Sequence, residues 1–334
     1  MLRFVLRRLA LMVPVLVGLS VLLFAWVRAL PGDPARALLG ERATPAGLAR
    51  VNAAYGFDQP LVQQYLTYVK ALLHGDFGSS IQTGRPVMES FLERFPATIE
   101  LGLAALLLAV VVGVPLGYVA ARHQGRFLDT AVVSGSLLGV VTPVFFLAIL
   151  HKLVFADTLH WLPTSQRQDA RMEATHITNF YVLDGLMTRE WDAAWDALVH
   201  LALPAIALGT IPLAIIVRIT RASVAEVMHE DYVRTAESKG LAASVISRRH
   251  VLRNALLPVV TTIGLQAGLL LSGAVLTETV FSFNGIGQYL FDAIGHRDYP
   301  VLQGFILCIA IVYSLINLLV DLAYGVIDPR VRAS

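Results

Sequence analysis

The sequence carries little charge for its length. Asp, Glu, Lys and Arg make up 15% of its 334 residues, whereas soluble domains carry about 25%. Hydrophobic residues account for 56% of the chain, and the formal net charge is only +2. This composition excludes an ordinary soluble domain, and the net charge gives no reason to expect a nucleic acid as partner. We predict an integral membrane protein with several spans.

Cysteine and catalytic motifs are also scarce. Cys308 is the single cysteine, so an intrachain disulfide and a thiolate metal cluster are both excluded. The sequence has no G-x-x-x-x-G-K-[ST] phosphate loop, no H-E-x-x-H zinc motif and no G-x-S-x-G nucleophile motif. No predicted span carries the two or more buried charges that a proton relay needs. The sequence therefore predicts neither a catalytic site nor a cofactor in this chain.

Long apolar runs are abundant and set the predicted topology. The first runs from Leu9 to about Leu30 and follows the basic stretch MLRFVLRR. It is long enough to cross about 30 Å of hydrocarbon, so a retained span is favoured over a cleaved signal peptide. Five further spans are predicted at about 97–121, 130–155, 198–217, 259–280 and 301–326.

Two interruptions of the apolar pattern carry predictions of their own. Pro204 and Pro212 are expected to break the fourth span, because proline removes a helical hydrogen bond. The stretch 281–300 is too long for a tight turn and too apolar for a free loop, so we expect a partly re-entrant helix that packs on protein. The predicted fold class is an all-α integral membrane protein with six transmembrane helices.

Lys and Arg are distributed unevenly between the connections. Segments rich in basic residues are predicted to lie in the cytoplasm by the positive-inside rule, and they occur at 1–8, 122–126, 218–253 and 330–332. Both termini are therefore expected inside. The predicted organisation begins with a cytoplasmic N-terminus and the first span (1–30), followed by an extracytoplasmic segment (31–96) that opens on a PGDP turn signal (31–34). The core (97–334) follows, and it contains a second extracytoplasmic segment (156–196) and a cytoplasmic loop (218–257).

The longest polar interruption in the second half is EDYVRTAESKGLAASVISRRHVLRNALLP, residues 230–258, here called the elbow. Asp231 is expected to cap a short helix, and Gly240 is expected to end it in the left-handed conformation. Ser244 is expected to begin a second helix, with basic residues toward its C-terminal end. A helical elbow at a membrane surface suits contact with a partner protein, although an ordinary basic loop has the same spacing.

The fifth predicted span is the most polar. At 100° per residue, Thr262, Gln266, Gly273 and Thr277 fall within about 60° of one another on a helix. Such a stripe could line an aqueous path, or it could be a packing face, since a small-xxx-small pair of glycines is also present. Glu278 lies near the outer end of this run, where a charge must face water or protein. We assign Glu278 and the four stripe residues to a predicted translocation path.

Three stretches resemble one transporter family. DYVRTAESKG (231–240) with RRHVLRNALLPVV (248–260) resembles the cytoplasmic signature of permease subunits of binding-protein-dependent ABC importers. GAVLTETVFSFNGIGQYLFDAIGHRDYPVLQG (273–304) is similar to the dipeptide and oligopeptide branch, and the N-terminal MLRFVLRRL with PGDP resembles the first of its two permease subunits. The general signature begins Glu-Ala-Ala, where this chain has Arg234, Thr235 and Ala236. The relatives usually show Pro-Gly at 283–285, where this chain has Phe283, Asn284 and Gly285.

The resemblance implies a function for these stretches. It implies the type I ABC importer permease fold, a place in the bacterial inner membrane, and a path for di- or oligopeptides formed with a second homologous permease. It also implies two ATPase subunits that hold ATP and Mg²⁺, and an extracytoplasmic substrate-binding protein. Coupling to the ATPases is implied for the first helix of the elbow and its exit, namely Asp231, Tyr232, Arg234, Thr235, Ala236, Lys239 and Gly240.

Other functions stay open at this point. The same machinery could import haem, glutathione or a nickel complex instead of peptides. A secondary transporter or channel that works without ATPases is a different class, and the elbow weighs against it. A receptor that only docks a binding protein is a third class, and the polar fifth span weighs against that. Co-purification of an ATPase would separate these classes.

Overall fold

The computed structural model describes residues 2–29, 44–55 and 58–327 of the chain. Apart from one isolated bridge between Ser79 and Pro86, the regular secondary structure of these ranges is helical. The PGDP turn predicted at 31–34 lies outside the described residues. The predicted all-α fold class is thus confirmed for the part of the chain that the structure describes.

The described residues form fourteen α-helices and two π-helical segments. In chain order the described ranges contain α1 (Leu2–Ala29), α2 (Pro45–Tyr55), α3 (Leu61–Leu73), α4 (Val87–Arg122), α5 (Phe127–Val141), α6 (Val144–His151), α7 (Tyr181–Thr188), α8 (Trp191–Met228), α9 (Asp231–Ser238), α10 (Ala243–Val245), α11 (Arg253–Gly273), α12 (Val275–Phe281), α13 (Ile286–Gly295) and α14 (Tyr299–Ile327). One π-helical segment (Lys152–Thr158) continues α6, and a second (Ile246–Leu252) joins α10 to α11.

Four helices within the described residues are long and apolar enough to cross a membrane. They comprise Leu6–Ala29 of α1, Val87–Arg122, Trp191–Met228 and Tyr299–Leu318 of α14. Two bent pairs bring the number to six when each pair counts as one span: α5 with α6 and its π-helical continuation, and α10 through α11 with α12. With 36 and 38 residues, α4 and α8 are about 54 and 57 Å long, well beyond the hydrocarbon thickness.

Some prolines lie inside an unbroken helix, whereas another ends a helix. α8 runs unbroken through Pro204 and Pro212, so the predicted break in the fourth span is wrong. Both prolines are buried, and a helix packed against its neighbours tolerates the lost hydrogen bond. Pro143, in contrast, ends α5, because Thr142 before it takes an extended conformation with ψ 128°. The third predicted span is therefore two helices that meet at 103°, not one straight helix.

The chain divides into two compact units, one of residues 1–94 with 289–334 and one of residues 95–288. In the first unit α1 packs against α14 and α3. The ring of Phe305 in α14 lies 5.3 Å from that of Phe91, centroid to centroid. The Ser80 hydroxyl donates a hydrogen bond to Asp298 Oδ2 at 2.6 Å, which joins the segment before α4 to the start of α14.

The second unit is built around α8, against which α5, α6, α7 and α11 pack. α4 approaches α8 so closely that a Cβ on Gly117 would lie 2.6 Å from the carbonyl oxygen of Val217. A Cβ on Gly113 would lie 3.2 Å from the carbonyl oxygen of Leu213. Glycine is required here because only a residue without a side chain lets the two backbones come this near.

Candidate functional site

The first helix of the elbow, α9, begins one residue earlier than the capping prediction requires. Glu230 is the N-cap, with no side-chain capping bond, and Asp231 is the first helical residue. The prediction that Asp231 caps this helix is therefore wrong. Its side chain is fully exposed and lies 3.8 Å from Arg234 Nη1. A carboxylate at this position still interacts favourably with the positive end of the helix dipole.

Gly240 ends α9 as predicted. Its φ is +72°, in the left-handed region. Its N–H donates to the carbonyl of Glu237 at 2.9 Å, and the N–H of Leu241 donates to the carbonyl of Ala236 at 3.3 Å. These two bonds form a Schellman motif, which satisfies carbonyls that the helix end would otherwise leave without partners.

The second helix of the elbow differs from its prediction. Its N-cap is Ala242 and its first residue is Ala243, so Ser244 lies one residue inside it. The helix continues through the π-helical segment into α11 without a break, and Pro258 lies inside α11. The basic residues Arg248–His250 consequently lie in the N-terminal third of a long helix, not at its C-terminal end.

α9 has one buried face and one exposed face. Val233 and Ala236 are 2% and 4% exposed and pack in an apolar cluster with Ile246 and Val251. Of the residues predicted to couple to an ATPase, Ala236 thus belongs to the packed face. The exposed side is formed by Asp231, Tyr232, Arg234, Thr235, Lys239 and Gly240. The structure therefore gathers all but one of these residues on a surface open to contact.

Polar contacts hold the elbow to the long helices behind it. Tyr118 of α4 shares a hydrogen bond with Ser247 in the π-helical segment. The Ser223 hydroxyl of α8 donates to the carbonyl of Ala255 at 2.8 Å. A cavity of about 260 Å³ lies beside α9 between these elements and is lined in part by Glu237. The second helix of the elbow is therefore braced on α4 and α8, and two residues separate α9 from the end of α8.

The residues predicted to line a path are not on one straight helix. Thr262, Gln266 and Gly273 belong to α11, whereas Thr277 and Glu278 belong to α12, beyond a bend of 60°. The single stripe expected from a helical wheel is therefore wrong in its geometry, because the wheel assumes a straight axis.

The two halves of the predicted stripe also differ in exposure. Gln266 is 7% exposed, and Thr262 is partly exposed, with its hydroxyl bonded to the carbonyl of Pro258 at 2.9 Å. Thr277 and Glu278 have no exposed surface. The Thr277 hydroxyl is buried without a hydrogen-bond partner among the described residues. Glu278 was expected to face water or protein, and in the structure it faces protein.

Two ion pairs that join α4 or α8 to distant parts of the chain were missed by sequence reasoning. Asp129 of α5 accepts two hydrogen bonds from the Arg221 guanidinium of α8, one of them at 2.7 Å. Arg167 Nη2 donates to Glu100 Oε2 of α4 at 2.7 Å, and the Arg167 guanidinium lies 3.7 Å from the ring centroid of Tyr181. The signal available in the sequence was a single acid inside or beside an apolar run. A count of charges within each span cannot pair such an acid with a residue elsewhere in the chain.

Two family models match most of the chain. Residues 113–333 match the model described as "Binding-protein-dependent transport system inner membrane component". Residues 1–102 match the model described as "Binding-prot-dependent transport system membrane comp, N-term". The matches include the elbow and the bent pair that follows it.

Curated relatives are similar over the full length. Dipeptide transport system permease protein DppB of Escherichia coli (strain K12) is 46% identical over 338 residues, with 99% of this chain and 99% of that protein covered. The protein of the same name from Alkalihalophilus pseudofirmus is 45% identical over 332 residues, with 99% of this chain and 100% of the relative covered.

One solved structure shares the fold. The MetNI methionine ABC transporter, in inward-facing conformations, matches with a TM-score of 0.51 and 15% identity, covering 74% of this chain and 97% of that chain. At this identity the likeness concerns the arrangement of helices alone.

Proposed function

The chain belongs to the family of binding-protein-dependent transport system inner membrane components, and on that premise we propose that it forms part of a path for di- or oligopeptides across the bacterial inner membrane. It is a multi-pass permease subunit of an ABC importer with the type I fold, and not an enzyme. The observation that carries the peptide substrate is the 45–46% identity, over 99% of the chain, to two dipeptide permeases.

The proposed assembly supplies what this chain lacks. A second homologous permease completes the path, and two ATPase subunits hold ATP and Mg²⁺. An extracytoplasmic substrate-binding protein delivers the substrate. The described residues contain no group of three or more His, Cys, Asp or Glu that could hold a metal.

The elbow is the proposed contact with an ATPase. Its exposed polar face is available to a partner, and its buried face, with Val233 and Ala236, fixes α9 to the bundle. Closure of the ATPases on ATP would push α9, and α8 would transmit the displacement as a rigid body. In this proposal Asp231, Tyr232, Arg234, Thr235, Lys239 and Gly240 meet the partner or shape the contact, while Ala236 positions the helix.

The proposed path runs along α11. Thr262 and Gln266 are its polar groups on that helix, and Gly273 lies at the helix end. Thr277 and Glu278 have no exposed surface, so we place them behind the path. Leucine at position 266 would replace an amide by an aliphatic chain of similar size and is expected to lower import without changing assembly.

The proposed orientation puts both termini and the elbow in the cytoplasm and residues 31–96 and 156–196 outside it. Ser244 and Thr164 are both exposed and lie in segments assigned to opposite sides. In a Cys308→Ala background, an impermeant thiol reagent should label Thr164→Cys in intact cells and Ser244→Cys only after permeabilisation. Labelling of Ser244→Cys from outside would overturn the orientation.

Uptake by a deletion strain tests the function directly. Complementation with this chain should restore uptake of labelled dipeptides, and dipeptide uptake should require the ATPase subunits that co-purify with the chain. Restoration of haem, glutathione or nickel uptake without dipeptide uptake would favour the same machinery with another substrate. Uptake that persists when the ATPases are absent would instead indicate a secondary transporter or channel.

A further inference from the structure

Glu278 is an acidic residue with no solvent-exposed surface. Its Oε1 accepts a hydrogen bond from the Thr98 hydroxyl at 2.6 Å, and its Oε2 accepts one from the backbone N–H of Gln288 at 3.0 Å. The Thr98 hydroxyl oxygen in turn accepts the backbone N–H of Ile286 at 3.0 Å. A buried carboxylate is costly unless donors satisfy it. Both oxygens of Glu278 have such donors.

These hydrogen bonds converge on the first turn of α13. The opening N–H groups of a helix have no partner within that helix. Thr98 and Glu278 supply acceptors for the N–H groups of Ile286 and Gln288, and a negative charge is favoured at this end of a helix. The cap of α13 is therefore built by side chains from two other helices, α4 and α12.

Two glycines form the walls around the carboxylate. A Cβ on Gly285 would lie 2.5 Å from Glu278 Oε2. A Cβ on Gly287 would lie 2.6 Å from the Cα of Val275 and 3.0 Å from the same carboxylate oxygen. Contacts this short are not tolerated in a close-packed interior. The site consequently holds the Glu278 carboxylate in one position.

The chain between α12 and α13 is kept in a conformation that it would not prefer by itself. Ser282 and Asn284 have φ of 49° and 56°, in the left-handed region, although neither is glycine. Such residues persist where their surroundings over-determine them. Between them Phe283 is 1% exposed, and its N–H donates to the carbonyl of Glu278 at 2.8 Å. The N–H of Asn284 donates to Oε1 of Gln288 at 2.7 Å.

This turn, residues 278–288, is called here the Glu278 turn, and it forms one wall of a polar cavity. Ser282, Asn284 and Gln288 line a cavity of about 370 Å³ together with Gln166 and Arg167. The N–H of Gln166 donates to the carbonyl of the last residue of α12 at 2.8 Å, so the two walls are joined by a backbone hydrogen bond.

We propose that Glu278 is a positioning residue for substrate entry. With Thr98 it fixes the first turn of α13 and so sets the shape of the polar wall formed by Ser282, Asn284 and Gln288. The inference rests on the proposed import function and orientation, in which the 156–196 segment, with Gln166 and Arg167 in the cavity wall, lies on the side where the substrate-binding protein delivers the substrate. Glu278 does not touch the substrate, because the protein encloses it completely. Its effect passes through the turn that it holds.

The test compares import kinetics of assembled transporters in proteoliposomes. Glu278→Ala removes the acceptor of two hydrogen bonds and should raise the concentration of loaded binding protein for half-maximal uptake roughly tenfold. Maximal uptake per assembled complex should change less than about twofold, because the path and the elbow are unchanged. An unchanged half-saturation would overturn the inference, and so would a loss confined to the amount of assembled complex.

Two variants serve as matched controls. Glu278→Gln keeps an acceptor for the Gln288 N–H and can donate its amide to the Thr98 hydroxyl oxygen, so half-saturation should return to near the wild-type value. Thr279→Val removes only a hydroxyl bonded within its own helix, to the carbonyl of Val275 at 2.8 Å, and should behave as wild type. If Glu278→Gln did not restore half-saturation, the loss of these hydrogen bonds would not explain the effect of Glu278→Ala.

A labelling experiment reads the turn itself, independently of uptake. Ile286 is 3% exposed. In a Cys308→Ala background, Ile286→Cys should resist a thiol reagent, and addition of Glu278→Ala should make it reactive. Continued protection would overturn the proposed role of Glu278. Absence of uptake by the wild-type assembly would overturn the import function, whereas the labelling result would still decide whether Glu278 holds the turn.

Discussion

Two connections within residues 95–288 are both helix–turn–helix elements, yet they are built in opposite ways. In the elbow, a Cβ on Gly240 would meet nothing within 4 Å, and most polar side chains are exposed. In the Glu278 turn, Gly285 and Gly287 lie against a carboxylate that has no exposed surface. The turn in the elbow has open space around its glycine, whereas the Glu278 turn is tightly packed around its glycines.

The difference separates two reasons for glycine. Gly240 is needed for its backbone conformation, since φ of +72° strains most residues with a side chain, β-branched ones above all. Gly287 is needed for volume, since an added methyl group has nowhere to go. The same distinction holds for the acids, because Asp231 is free to meet a partner protein whereas Glu278 is fully committed to internal hydrogen bonds. An exposed helix face and a fixed internal frame therefore use the same residue types.

The largest effect is expected from Gly287→Ala. Its Cβ would lie 2.6 Å from the Cα of Val275, so the backbone of α12 or α13 must move. Overpacking of this kind costs about 1–3 kcal/mol of the free energy of unfolding and sometimes more. Thermal unfolding of the purified protein should show the loss. Gly295→Ala is the matched control, because a Cβ at Gly295 in the same helix meets nothing within 4 Å. If the two variants were equally stable, lack of space would not be the reason for glycine at position 287.

A smaller loss of stability but a large loss of coupling is expected from Gly240→Val. A β-branched residue in the left-handed region is strained by roughly 1–2 kcal/mol, which is enough to open or rotate the end of α9. The protein should reach the membrane with reduced import and reduced ATPase co-purification. Gly240→Asn is the control, because asparagine tolerates this conformation. Normal import by the valine variant, with the ATPases retained, would show that the elbow is only a loop.

Arg234→Ala should leave the fold unchanged while it weakens association. The Arg234 side chain is 67% exposed, and its partner Asp231 is fully exposed. Surface substitutions of this kind change the free energy of unfolding by less than about 0.5 kcal/mol. ATPase binding to purified permease should fall severalfold at an unchanged melting temperature. Unchanged ATPase binding would mean that the partner contacts another part of the elbow.

The smallest effect is expected from Thr277→Val. Valine has nearly the shape of threonine, and the Thr277 hydroxyl has no hydrogen-bond partner among the described residues. Loss of an unsatisfied buried group is neutral or slightly stabilising. Import and melting temperature should therefore match the wild type. If import were impaired while assembly stayed normal, Thr277 would line the path, and the assignment of Thr277 to a position behind the path would be wrong.

Local signals made parts of the fold predictable. Gly240 followed by a change of pattern identified the end of α9, because a left-handed C′ residue is a local property of the backbone. The effect of Pro204 and Pro212 was predicted wrongly because it is not a local property. Proline weakens an isolated helix, but whether the helix breaks depends on the neighbours that pack around it, and these are distant in sequence.

The amino-acid sequence by itself determined the class of protein, the number of apolar runs and the elbow, because hydrophobic length and turn chemistry act over a few residues. Only the tertiary structure decided what Glu278 does. Its hydroxyl donor, Thr98, is 180 residues away in the chain, and a bend of 60° separates α12, on which Glu278 lies, from α11. Hydrogen bonds between distant helices satisfy a buried charge, and no local pattern records them.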